Sequence, residues 1–452
     1  MNQANSALPI QYINTSEEAE KSICQRCKTE DAILISRKEK FCQRCFVRFI
    51  RGKQRKQMNG DKFRVKYGEV AEKLGHQKIL LALSCGVSSI VLFDVIASLL
   101  KEQLEGHKGK QGFELVLLNL DEFELKSLDN HAKKVIPNLL KRFEGIDIQY
   151  KILNLQSFIL DQSLLQKIKL TKQFSAFSEK IDSSESYSME SILNLCPNKS
   201  SVEDFLTVVY DELILRTAYL ENCETIIYGH SMTRLANEIL GLTVKGRGSS
   251  IHEAIADHTV TYRGKKFEIQ YPLRDVLLAE IIAYSELEDL DQYQLKSTKP
   301  VSKITKNMTI RDITTQYFNH LDNNGYASTA STVVKTGEKL GPPKIDGSTT
   351  NCQLCGVEIH HNPKDWLRRI TVSEAMPLET EEEEDYKKQY LQLFGNYENE
   401  DYSDKDPVNV CYGCIVSLGG IKPDSGFIWP LKTDKESEHD ILNEYILTDD
   451  ED

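Results

Sequence analysis

The stretch LALSCGVSSIVLF, Leu81–Phe93, holds an apolar run, a cluster of small residues and a second apolar run. Upstream, KILLALS (78–84) reads as a short, wholly apolar strand of the buried parallel kind. Downstream, residues 88–104 read as a helix apolar almost all round, and therefore buried. A tight loop between such a strand and helix aims backbone N–H groups at one point, which suits phosphate. Yet Cys85 and Ser88 stand where such a loop ordinarily has a glycine and an acid.

The same alternation continues outward. Strands are predicted at 113–122, 148–155 and 224–231, with helices near 128–143, 202–222 and 232–242. HTVTYRGKKFEIQYPLRDV reads as a hairpin turning at Arg263–Lys265, followed by a loop that opens a helix. This pattern predicts a doubly wound, mostly parallel α/β sheet. Ligands in such sheets sit beyond the carboxyl ends of the strands, where Ser84, His230 and Arg274 fall.

The expected organisation is a polar segment over 1–21 and a cysteine-rich module with a basic flank over 22–66. The α/β domain follows over 67–295, with an insertion near 156–200. A linker with peripheral structure covers 296–350, and a second cysteine-rich module covers 351–452. The first residues lack the apolar stretch and basic start of a signal peptide, and no window is apolar enough to span a membrane. The expected location is the cytoplasm, with no membrane partner.

Eight of the eleven cysteines form C-x-x-C pairs: Cys24/Cys27, Cys42/Cys45, Cys352/Cys355 and Cys411/Cys414. In a reducing compartment such pairs read as metal sites. Two knuckles closing a four-thiolate tetrahedron suit a structural zinc; an iron–sulfur centre uses the same ligands. Two zinc sites are expected, one per module. His360 and His361 lie near the second and read as surface residues.

The net charge of −12 hides a segregation. Residues 37–66 hold twelve Lys or Arg against Glu39 and Asp61, whereas ETEEEED (379–385) and the tail TDDED are acidic. The plain reading of the basic run is a solvated helix with an apolar face. The functional reading is contact with a nucleic-acid backbone through Arg48, Arg51, Lys53, Arg55, Lys56, Lys62, Arg64 and Lys66.

SCGVSS resembles the pyrophosphatase loop S-G-G-x-D-S, in which glycines let the backbone approach the phosphates. Ser84, Gly86 and Ser89 match; Cys85 stands at the first glycine and Ser88 at the aspartate. Together with CQRC…FCQRC…RGKQRKQM…FRVKYG, this degraded loop resembles the cytoplasmic tRNA 2-thiolation protein 2 family of eukaryotes. The resemblance covers most of the chain and implies an adenine nucleotide alpha hydrolase-like fold flanked by zinc modules.

That resemblance implies a heterodimer with a catalytic thiolase paralogue that 2-thiolates the wobble uridine of tRNAs of the Lys, Glu and Gln type. The implied sulfur source is a thiocarboxylated ubiquitin-related modifier, whose conjugation to proteins is a further link. Active relatives carry C-T-x-C-G before the helix that follows the insertion; here SVEDFLTVVYDELILR holds no cysteine. They also carry a Gly-His followed by a pair of acids; here Gly229 and His230 persist, but Thr233 and Arg234 stand where the acids would be.

The three departures imply a pseudo-enzyme subunit with no catalytic residues, a vestigial nucleotide loop (Ser84, Cys85, Gly86, Ser88, Ser89, Gly229, His230) and doubtful ATP binding. Cys196 and Cys223 remain as sulfur-carrier candidates or buried structural thiols. Two alternatives stand beside this reading: an active ATP-dependent thiolase, and a zinc-ribbon adaptor unrelated to thiolation.

Overall fold

The computed structural model describes residues 9–13, 22–75, 77–122, 131–181, 185–295, 308–341, 350–370, 380–394, 405–422 and 425–432. The polar start, apart from residues 9–13, and the acidic tail lie outside these residues. The chain divides into two compact units, Met1–Phe158 with Leu206–Pro342, and Ile159–Phe205 with Pro343–Asp452.

The first unit is built on a six-stranded sheet: β1 (Gln77–Ala82), β2 (Phe113–Asp121), β3 (Ile148–Asn154), β4 (Thr225–Tyr228), β5 (His258–Tyr262) and β6 (Lys265–Gln270). The order is β5-β6-β4-β1-β2-β3, parallel except for the β5–β6 hairpin. Arg263 and Gly264 turn that hairpin, both with positive φ (48° and 76°), the two-residue turn that matches strand twist. The chain leaves β1 toward β2 and later returns on its other side as β4. The β1–β4 boundary is therefore the switch point where a crevice opens. Ala82 pairs with Tyr228 there, which places the 83–86 loop beside Gly229 and His230.

The basic module is not separate from this domain. Its helix α1 (Gln43–Gln57) buries Phe46, Val47 and Ile50 in a core shared with α2 (Val87–Gly106). Glu280, on a later helix, is fully buried; it accepts from Ser36 Oγ at 2.9 Å and pairs with Arg37 at 2.6 Å.

The stretch expected as an insertion near 156–200 instead supplies strands Leu165–Leu170 and Ala176–Lys180 to the second unit. They pair with Phe427–Pro430 and Asp406–Val408, respectively. The two strands also pair with each other, and their outer partners lie more than 200 residues away in sequence.

Phe205, Phe427 and Trp429 stack in that unit's core, and Trp429 Nε1 donates to Leu354 O at 3.3 Å beside the Cys352/Cys355 knuckle. The stretch 296–350 is expected to hold a linker and peripheral structure. Its described residues 308–341 form α-helices Ile310–Asn323 and Ser328–Gly337, which pack against α3 (Met232–Val244). No described helix is long and apolar enough to cross a membrane.

Candidate functional site

Cys85 adopts φ 57°, the left-handed conformation that glycine takes at low cost. Its side chain turns into the core and is 2% exposed, with Asn119 Nδ2 3.8 Å from Sγ. Burial pushes this thiol up to about 11, so it stays protonated near neutrality. Gly86 caps the start of α2 with an ordinary φ of −77°. Its N–H points at Ser84 Oγ (3.4 Å), which lies 3.2 Å from Ser89 Oγ; Ser89 Oγ donates to Gly86 O at 3.0 Å. The loop's polar groups thus bond largely to one another. Gly229 is required by close packing: a Cβ there would stand 2.9 Å from Ser89 Cα and N.

Beyond these strand ends lies a cavity of about 570 Å³. Ser84, Gly86, Ser88, Ser89, Gly229 and His230 all line it, so the vestigial loop residues converge, while Cys85 does not reach it. Arg274, expected in the same crevice, is instead held by Asp257 and Glu338. Thr233, at the first lost acid, accepts Leu278 N–H at 3.1 Å and so anchors the next helix. Arg234, at the second, faces Glu238 at 3.6 Å, and Arg311 grips the same carboxylate at 2.8 Å. Burial raises the Glu238 pKa, but Arg311 and Arg234 outweigh it and hold the group below its usual range.

Arg311 lies in the stretch that sequence composition marks as linker. The Thr309/Asp312 capping box ahead of Phe318 is the signal that marks its helix.

His230 stacks on Tyr271, centroids 5.2 Å apart at 13°, and its Nδ1 is shielded without a partner. Burial, then Arg234 and Arg311, with Glu238 opposing, lower its pKa to about 3. The unfolded chain therefore takes up a proton near pH 6.5 that the folded chain refuses until about pH 3. Stability falls as the pH drops through that window, by about 2 kcal/mol at pH 5. His230→Asn should remove this share of the acid sensitivity, read as the difference in urea midpoint between pH 7 and pH 5.

In each cysteine group the four sulfurs lie within 4.8 Å of one another. Cys27 and Cys42 sulfurs are 3.8 Å apart, and Cys355 and Cys411 sulfurs 3.6 Å. Thiolates about 2.3 Å from one tetrahedral ion have about this spacing, whereas a four-iron cluster spreads its ligands wider. Hydrogen bonds from Thr29 and the Glu30 backbone lower the Cys27 thiol to about 6, which readies it as a ligand. Cys42 and Cys411 each stand at the N-cap of a helix, where positive backbone ends favour thiolate; at Cys42 burial and Glu30 outweigh this and raise the thiol, whereas the Cys411 thiol is lowered. Both four-cysteine groups fit a metal ion such as zinc. His360 and His361 belong to neither group.

The basic residues divide into two classes. Arg51 bonds Tyr284 Oη at 3.0 Å and reaches Glu288 at 3.4 Å and Asp94 at 3.7 Å. Lys53 donates to Asp275 O at 2.9 Å, Arg55 pairs with Glu102, and Lys62 pairs with Glu268. Arg64 pairs with Asp61 at 3.3 Å, and Lys66 is half-buried with its Nζ shielded. Arg48 and Lys56 are exposed on α1 with no ion pair among the described residues. Arg44, Arg48, Arg51 and Arg55, at helical spacing, line a groove of about 760 Å³ that also holds Glu30, Glu102 and Glu288.

Residues 309–416 match the family described as Cytoplasmic tRNA 2-thiolation protein 2. A protein of that name from Debaryomyces hansenii is 63% identical over 446 residues, covering 98% of this chain and 99% of the relative. One from Scheffersomyces stipitis is 59% identical over 447 residues, with the same coverage. Among solved structures, the U34-tRNA thiolase NcsA of Methanococcus maripaludis, with its 4Fe–4S cluster, aligns at a TM-score of 0.48 and 15% identity. That alignment covers 79% of this chain and 99% of the thiolase. With near-complete coverage at such identity to the two yeast proteins, this chain belongs to the cytoplasmic tRNA 2-thiolation protein 2 family.

Proposed function

We propose that the chain is the non-catalytic subunit of a cytoplasmic tRNA 2-thiolation complex, paired with a catalytic paralogue. The observation that carries this reading is the absence of cysteine among the cavity's described lining residues. Thiolation needs a sulfur nucleophile beside the activated uridine, and thiolate is the reactive form. Outside the four-sulfur groups, Cys85 is buried with its pKa raised to about 11. Burial raises Cys196 and Cys223 to about 12, with Asp204 adding to the first and Glu221 to the second. None is poised to carry sulfur.

In this reading the paralogue activates the uridine and receives sulfur from the thiocarboxylated ubiquitin-related modifier. This chain contributes a stable α/β partner and a tRNA contact through α1, with Arg48 and Lys56 the cations open to phosphate. Two structural zinc ions would be held by Cys24, Cys27, Cys42 and Cys45, and by Cys352, Cys355, Cys411 and Cys414. Closed four-thiolate sites supply folding energy, with no position left for substrate.

The test is reconstitution with unmodified tRNA, ATP, magnesium and the thiocarboxylated modifier, scored by nucleoside mass spectrometry. The expected result is no 2-thiouridine and no pyrophosphate release from this chain alone, and full thiolation from the pair. Thiolation by this chain alone would overturn the reading. Undiminished tRNA sulfur in cells lacking the chain would favour an unrelated adaptor.

A further inference from the structure

The basic run ends in sequence at Lys66, but the structure continues the basic surface onto a second segment. Tyr67 follows directly and is 50% exposed. Its hydroxyl lies 2.8 Å from His107 Nδ1, and the two rings are tilted at 56° with centroids 6.1 Å apart. Lys110 Nζ stands 5.2 Å from the tyrosine ring centroid. Lys108 sits at the turn after α2 with φ 55°, followed by Gly109 at 77°, and residues 105–110 are all exposed. Lys108 and Lys110 have no ion pair among the described residues.

This cluster has a rigid base. Gln103 Nε2 donates to Phe63 O at 2.9 Å, and Gln103 Oε1 accepts Gly112 N–H at 2.9 Å. A Cβ on Gly112 would come within 2.4 Å of Phe63 O, so only glycine lets the two segments meet this closely. An aromatic ring held at its hydroxyl end and half open to solvent, with the Lys110 ammonium over it and Lys108 two residues earlier in the same turn, leaves its exposed part for an unstacked base while the lysines meet its phosphates.

We propose that Tyr67 is a stacking platform for an unpaired nucleobase of the bound RNA, with Lys108 and Lys110 meeting the flanking phosphates. This rests on the reading that the chain contacts tRNA, and it adds a base-reading element to a surface otherwise electrostatic.

The test is fluorescence anisotropy of the full chain with transcribed tRNA, a ten-nucleotide oligouridine and a blunt RNA duplex, each across a salt series. Tyr67→Ala should weaken tRNA and oligouridine binding by about 5- to 100-fold with an unchanged salt slope, and leave duplex binding as it was. Tyr67→Phe keeps the ring and should retain most of the affinity. Lys108→Gln with Lys110→Gln should lower the salt slope instead. Because Tyr67 is surface-exposed, thermal melting should be the same for all variants. If wild-type chain binds tRNA and Tyr67→Ala binds it equally, the platform is overturned and the tRNA contact stands. If wild-type chain binds no tRNA, the tRNA contact itself fails.

Discussion

Cys42→Ser is expected to unfold the whole first unit, beyond the N-terminal knuckles alone. Cys42 supplies one of the four thiolates; at the N-cap of α1 its side chain makes no capping hydrogen bond, so what the serine removes is the ligand. Metal binding to a structural four-cysteine site contributes about 10–16 kcal/mol, comparable with or above a domain's entire stability of about 5–15 kcal/mol. The effect spreads because α1 is part of the common core. Without the module, Phe46 and Ile50 leave that core, and the buried carboxylates of Asp94 and Glu280 lose Arg51 on α1 and Arg37 on the hairpin before it. An uncompensated buried charge costs about 3–5 kcal/mol on its own. Mass spectrometry should show one metal equivalent missing. The cooperative melting transition of the unit should be lost, with the sheet's far-ultraviolet signal already collapsed at ambient temperature. Metal loss with an unchanged melting curve would show that the knuckles are dispensable to the sheet.

That coupling is what local sequence patterns could not show. The parallel strands were legible because each is a short apolar run flanked by turn residues, and the loop because SCGVSS interrupts two such runs. The cysteine spacing marked both four-sulfur groups residue by residue. Three features were hidden, each for a physical reason. Leu165–Leu170 pairs with Phe427–Pro430, a pairing that no local window contains. Arg311 reaches the cavity from a helix with a mixed polar surface, which composition alone reads as linker. A basic helix also reads as uniformly cationic, because sequence does not say which of its arginines faces a buried acid.

Arg51 and Arg48 separate these two roles. Both lie on α1, and in sequence both resemble phosphate-binding residues. Arg51 is drawn inward: Asp94 is 1% exposed, and its partners are Arg51 at 3.7 Å, Arg142 at 3.6 Å and Tyr284 Oη at 2.8 Å. Burial already raises the Asp94 pKa against the pull of Tyr284, Arg142 and Arg51. Arg51→Gln should therefore destabilise the unit by about 2–4 kcal/mol at neutral pH, measured by urea unfolding. The sign with pH follows from linkage. With Arg51 gone, the folded pKa of Asp94 rises further above its unfolded value. The penalty is then full above the variant's raised pKa, shrinks as the pH falls through it, and is gone once the folded carboxyl is protonated in both variant and wild type. A residue that only meets phosphate would show no such recovery. Arg48→Gln with Lys56→Gln should do the opposite: stability within about 0.5 kcal/mol of wild type, but weaker tRNA binding whose salt slope falls by about 0.7–0.9 for each phosphate no longer neutralised. If Arg51→Gln left stability intact and lowered the salt slope, α1 would instead present all its arginines to RNA, and the tie between ribbon and sheet would be incidental.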